Sequence, residues 1–201
     1  MSILSKDYYQ TSNAIKLAKD LLGKVISSEI DNKLCSGRIV ETEAYMAPED
    51  KASHAYGMKR TKRTETMFLS GGRSYVYLCY GMYHLFNIVS GKADVPHAIL
   101  VSAIEPLQGI DQMLKRRGML NLLPNVSNGP GKLSQALGIT KKDNDIDLAK
   151  GKRIWISDDG IRFKIKETIA SPRVNIGYAQ EYISKPWRFR VMNSKWTSRA
   201  K

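Results

Sequence analysis

The sequence predicts a mixed α+β fold: one mostly antiparallel sheet with several short helices, residues 1–201 forming a single domain. Three observations predict it. Strand-like segments precede, separate and follow short helical ones, without the regular alternation of a parallel βαβ fold. The 201 residues carry 42% apolar side chains, enough for one core. No internal repeat, low-complexity tract or linker divides the chain.

Taken in order, Ser12 is the expected cap of a helix reaching Leu22. Ile15, Ala18, Leu21 and Leu22 supply its apolar stripe, and Gly23 its stop. Residues 24–30 and 34–43 read as strands joined by an Asp31-Asn32 turn. Pro48-Glu49-Asp50 reads as a helix start, with proline in the first turn and acids at the positive end of the dipole. The basic segment 59–63 lacks an apolar period and reads as an exposed loop. Residues 74–80 and 82–90 are rich in β-branched and aromatic side chains and break at Gly81, as a hairpin would. A strand over 98–103 should stop at Pro106. Helices are expected over 109–117, ending at Gly118, and over 130–137, capped by Gly138. Strands over 153–156 and 161–165 flank the turn Asp158-Asp159-Gly160. Further strands are expected at 170–176 and 189–192.

Charge narrows the function. Lys and Arg number 32 against 19 Asp and Glu, a net +13 spread along the chain rather than gathered in a tail. Such a surface attracts polyanions, with nucleic acid the leading partner. Two cysteines, Cys35 and Cys79, without Cys-x-x-Cys spacing, and three histidines argue against a zinc site or a disulfide framework. The first residues lack the apolar stretch of a signal peptide, and no run reaches membrane-spanning length. A reduced, intracellular protein without membrane association is expected, in cytoplasm and nucleoid or in a nucleus.

Four clusters could carry chemistry, and each has a plainer reading. Glu41, Glu43 and Tyr45 share one face of their strand by period two, so one glutamate could be a general base; solvated or salt-bridged acids are the alternative. Of 10 tyrosines, Tyr75, Tyr77, Tyr80 and Tyr83 fall within nine residues. They could stack on an unstacked base, or simply build a core hairpin. The 59–63 loop, with Arg73, Lys115, Arg116 and Arg117, suits phosphate contact, or forms an ordinary solvated charge run. Asn128-Gly129-Pro130-Gly131-Lys132 could hold a phosphate on free backbone N–H groups, but a plain helix start is preferred, and the spacing is not that of a P-loop.

Gly37-Arg38-Ile39-Val40-Glu41-Thr42-Glu43-Ala44-Tyr45, followed by Pro48-Glu49-Asp50 and His54, strongly resembles the alkyladenine (3-methyladenine) DNA glycosylase family. So do Tyr75-Val76-Tyr77, Tyr80-Gly81-Met82-Tyr83 with Asn87, Glu105-Pro106-Leu107, the segment 129–137, and Pro172-Arg173-Val174. The matches keep family order over most of the chain. The resemblance implies a curved sheet and a monomer acting on double-stranded DNA with damaged purines. It implies monofunctional hydrolysis that leaves an abasic site, with no metal and no organic cofactor. Glu43 matches the general base, and Val174 a residue whose carbonyl helps hold the water. Tyr45, His54 and Tyr77 match the pocket around the flipped base. Asn87 matches the residue that excludes guanine, and Tyr80 the side chain that fills the gap in the duplex.

One position departs from the pattern. An arginine usually stands two residues before the Ile-Glu-Pro triplet, and here that position is Ser102. The departure leaves open a damaged-DNA-binding protein of the same fold with weak or lost catalysis, and a general nucleic-acid-binding domain remains a third reading.

Overall fold

A computed structural model describes residues 1–198 of the chain. Among the described residues nine strands form one sheet, and every pairing is antiparallel. They are β1 (Ser2–Ile3), β2 (Val25–Ile30), β3 (Lys33–Met46), β4 (Ser74–Cys79), β5 (Tyr83–Ser90), β6 (His97–Gln108), β7 (Ile154–Asp158), β8 (Thr168–Ser171) and β9 (Arg188–Val191). The order is β1-β7-β2-β3-β6-β5-β4, with β9 adding to β3 and β8 to β9. The long β3 is the spine. β6 lies along one edge, and β2 and then β9 share the other.

Three α-helices, α1 (Ala14–Asp20), α2 (Ile110–Arg117) and α3 (Pro130–Leu137), pack on the sheet. Gly118 and Gly138 adopt the left-handed conformation that ends α2 and α3. Beneath them lies the main core, built from one parity of the central strands: Ala44, Val76, Phe86, Ile88, Ile99 and Val101. The other parity faces away from these side chains, toward the loops between residues 47 and 68 and after residue 172.

Several expected elements differ. The cap of α1 is Asn13, whose side chain accepts the Lys16 N–H at 2.9 Å, rather than Ser12. Pro48-Glu49-Asp50 starts no helix; the segment is a series of turns, because the Asp50 carboxylate is drawn inward to Arg173. β6 runs through Pro106, which sits opposite Gly37 beside a register shift, where a missing N–H is tolerated. Residues 161–165 form no strand. Both edges of β7 are already taken, by β2 and β1, and the Arg162 guanidinium folds back onto Asp158 at 2.7 Å. The Asp31-Asn32 turn is as expected, with φ of 56° at both residues, the mirror-type turn that suits a tight hairpin. No helix among the described residues is long and apolar enough to cross a membrane.

Candidate active site

The sheet face opposite the helices carries a cavity of about 530 Å³, within the size range of small-molecule sites. Its floor follows from strand alternation. Glu43 of β3 stands opposite Leu100 of β6, which stands opposite Asn87 of β5, which stands opposite Tyr75 of β4. These four make one row across the sheet, and all four line the cavity. Glu41, Tyr45, Tyr77 and Ser102 line it from adjacent rows, and His54, Arg63 and Val174 from the loops. Glu43, Tyr45, His54, Tyr77, Tyr80, Asn87 and Val174, the residues the family resemblance singles out, therefore all border one space.

Glu43 is only 5% exposed. Its Oε2 accepts the Tyr45 hydroxyl at 2.7 Å, while its Oε1 lies 4.0 Å from Arg188 Nε, beyond hydrogen-bond reach. Burial pushes its pKa up to about 7; the Tyr45 hydrogen bond works against that, and the neighbouring Glu41 adds to it. Glu43 is thus a carboxylate poised to take a proton near neutral pH. Burial and the Glu43 charge both hold the Tyr45 phenol well above its usual range, so it stays a hydrogen-bond donor.

Glu41 differs sharply. Arg188 Nε donates to its Oε1 at 2.7 Å, and Ser198 donates through its N–H and its hydroxyl, each at 2.7 Å. Arg188 itself is 1% exposed and stands opposite Glu43 in register on β9. The salt-bridged reading of the acidic cluster holds fully for Glu41, whereas Glu43 shares the same guanidinium only through a long 4.0 Å ion-pair contact without a hydrogen bond.

The aromatic wall joins β4 to the 47–68 loop. The His54 ring meets the Tyr77 ring edge-on, with centroids 4.6 Å apart, and Tyr75 lies 5.4 Å from Tyr77. His54 Nδ1 is 2.8 Å from the Tyr75 hydroxyl, and Nε2 is 3.3 Å from an Arg63 nitrogen. Arginine only donates, so Nε2 accepts and the ring proton sits on Nδ1. Burial, with help from Arg63, lowers the His54 pKa to about 4, and the ring is neutral at physiological pH. The Arg63 guanidinium also covers the Tyr77 ring at 4.8 Å. Arg173 does the same for Tyr45 at 4.5 Å. Asn87 is held by its amide nitrogen, which donates to the carbonyls of Tyr75 at 3.1 Å and Leu85 at 3.3 Å.

At the rim, the β4–β5 hairpin turns through Tyr80 and Gly81, with φ of 51° and 71°. The turn thrusts Tyr80 outward, 79% exposed, beside Met82 at 69%. The basic surface is narrower than expected. Arg60 is tied to Glu65 and Asp94, and Arg73 to Asp145. Arg116 and Arg117 donate to backbone carbonyls of neighbouring segments. Residues 128–132 are the plain start of α3, although Pro130 borders the cavity.

Sequence reasoning missed Arg188, Ser198 and the Asp50–Arg173 pair. Arginine and serine at those positions carry no spacing signal, since their partners lie more than 100 residues away in sequence.

The chain also resembles known proteins. A family model described as methylpurine-DNA glycosylase matches residues 7–195. A protein of Clostridium novyi named "Putative 3-methyladenine DNA glycosylase" is 46% identical over 99% of this chain and 100% of its own length. Proteins of the same name from Clostridium perfringens and Chlamydia pneumoniae are 42% and 44% identical. They cover 98% and 93% of this chain, and 98% and 94% of their own lengths.

Proposed function

The chain belongs to the methylpurine-DNA glycosylase family, and from that premise we propose that it hydrolyses the N-glycosidic bond of alkylated or deaminated purines, of 3-methyladenine or hypoxanthine type, in duplex DNA. Residues 1–201 act as one glycosylase domain and as a monomer. The observation that carries this reading is Glu43: a buried carboxylate with its pKa pushed up to about 7, on the floor of an aromatic-walled cavity of about 530 Å³, roomy enough to admit an everted base.

In this mechanism the damaged purine leaves the stack and enters beside Tyr45, Tyr77 and the neutral His54. Flipping costs a few kcal/mol, least for a mispaired or damaged base. Tyr80, on its exposed turn, fills the gap left behind. Lys59 and Lys62, exposed on the loop beside the cavity, contribute sequence-independent attraction for the phosphates. Glu43 accepts a proton from water, the water oxygen bonds to C1′ of the sugar, and the C1′–N bond breaks with its electron pair leaving on the purine. Val174, through its carbonyl, helps orient the water, and Asn87 hinders guanine through its fixed amide. An alkylated purine is already cationic, so it departs as a neutral base without an acid catalyst, whereas neutral hypoxanthine takes a proton from solvent as it leaves. The neutral His54 suits that cation, since an imidazolium would repel it. The cavity wall contains no lysine among the described residues, which favours water over an amine as nucleophile and hence an intact strand.

The test is a duplex with one hypoxanthine or one 3-methyladenine, incubated with excess protein and then cleaved at abasic sites. Wild type should yield product. Glu43→Gln should slow it by about 10³-fold, within the usual range for a general base, with duplex affinity unchanged. No product from wild type on either lesion, despite lesion-selective binding, would favour the damaged-DNA-binding alternative. Full activity in the variant would remove Glu43 from its role.

A further inference from the structure

Seven buried side-chain polar atoms have no hydrogen-bond partner among the described residues, and Ser102 Oγ is the one whose residue borders the Glu43 cavity. Ser102 is 1% exposed. A buried hydroxyl without a partner forfeits its hydration without compensation, so it calls for a ligand or a water.

Its position is not an accident of alternation alone. In the β3–β6 ladder Glu41 pairs with Ala103 and Thr42 with Val101, so Ser102 is the residue skipped between them. A bulge of this kind re-aims a side chain. It sets Ser102 diagonally across from both Glu41 and Glu43. The two carboxylates differ in what they can accept. Glu41 accepts three hydrogen bonds, from Arg188 and Ser198, whereas Glu43 Oε1 accepts none among the described residues and meets Arg188 Nε only at 4.0 Å. The cavity therefore holds one under-occupied carboxylate oxygen and one unpartnered hydroxyl on neighbouring strands.

We propose that Ser102 Oγ and Glu43 Oε1 together hold the water that attacks the sugar. The inference rests on the glycosylase reading above. The water donates one hydrogen to Glu43 and accepts the Ser102 O–H with one lone pair, leaving the other lone pair for C1′. As its proton passes to Glu43, oxygen gains negative charge, and the Ser102 donor stabilises that charge where it develops. Ser102 thereby acts on the water, and Arg188, hydrogen-bonded to Glu41 rather than to Glu43, leaves the Glu43 oxygen open to take the proton.

Thr and Val have nearly the same shape and differ in the hydroxyl, so they separate this role from packing. In single-turnover excision at pH 8, Ser102→Ala and Ser102→Val should both be about 10- to 100-fold slower than wild type. Ser102→Thr should retain the rate within about fivefold, and all three should bind lesion duplex as tightly as wild type. Ala or Val at the wild-type rate, or Thr as slow as Val, overturns the assignment while leaving the glycosylase reading intact. Wild type without product overturns that reading, and this inference with it.

Discussion

Glu43 and Asp50 lie seven residues apart and are both buried, but their surroundings are opposite. Asp50 accepts four hydrogen bonds: two from the fork of Arg173, at 2.6 and 2.8 Å, and one each from the N–H groups of Met46 and Ala52. Glu43 accepts one, from Tyr45, and its nearest guanidinium is committed to Glu41. A buried charge with every lone pair matched locks the chain in place. One left short of donors is costly to keep ionised and correspondingly reactive. Asp50 fastens the loop that carries His54, and Glu43 is left for chemistry.

The largest effect that would break this contrast is expected at Asp50. Asp50→Ala leaves the Arg173 charge buried alone and should destabilise the fold by about 3–5 kcal/mol, read as a lower urea midpoint. An unchanged midpoint would mean the pair carries no structural weight.

At Glu43 the sign should reverse. Its folded pKa is raised, so the folded chain holds that proton more tightly than the unfolded chain does. The stability it withdraws therefore grows as pH rises from the ordinary carboxylate value through about 7. Glu43→Gln should be more stable than wild type by about 2–3 kcal/mol at pH 8, with the gap closing toward pH 4.5. Parallel stability–pH curves for the two proteins would contradict the raised pKa.

The smallest effect concerns Tyr45. Single-turnover excision by wild type should rise with pH up to about 7 and then level off, as Glu43 loses its proton. Tyr45→Phe keeps the ring but removes the donor to Glu43, and should move that limb upward by about one pH unit. A limb that stays in place would show that the hydroxyl does not tune the carboxylate.

The same contrast explains what was legible in the sequence. Period-two alternation put Glu41, Glu43 and Tyr45 on one face, and the broken run at Gly81 marked the hairpin that carries Tyr77 and Tyr80. Both are local patterns, and both hold. Alternation cannot distinguish Glu41 from Glu43, because the difference is made by Arg188 and Ser198, near the far end of the chain. It cannot tell that Asp50 is an ion-pair partner rather than a helix-start acid, because Arg173 arrives from 123 residues away. The stop expected at Pro106 does not occur, because the irregularity that accommodates the proline belongs to the pairing of two strands and to neither strand alone.

The β4–β5 hairpin tip has a consequence for how copies of this molecule meet one another. Tyr80 and Met82 are large, apolar and mostly uncovered. A net charge of +13 keeps such tips apart in dilute buffer. At physiological ionic strength the repulsion is screened beyond a Debye length of about 8 Å, leaving bare tips free to touch. Salt, which usually frees a cationic protein from unwanted partners, should therefore favour weak, transient tip contacts here without displacing the monomer, and a short duplex that covers the tip should remove them.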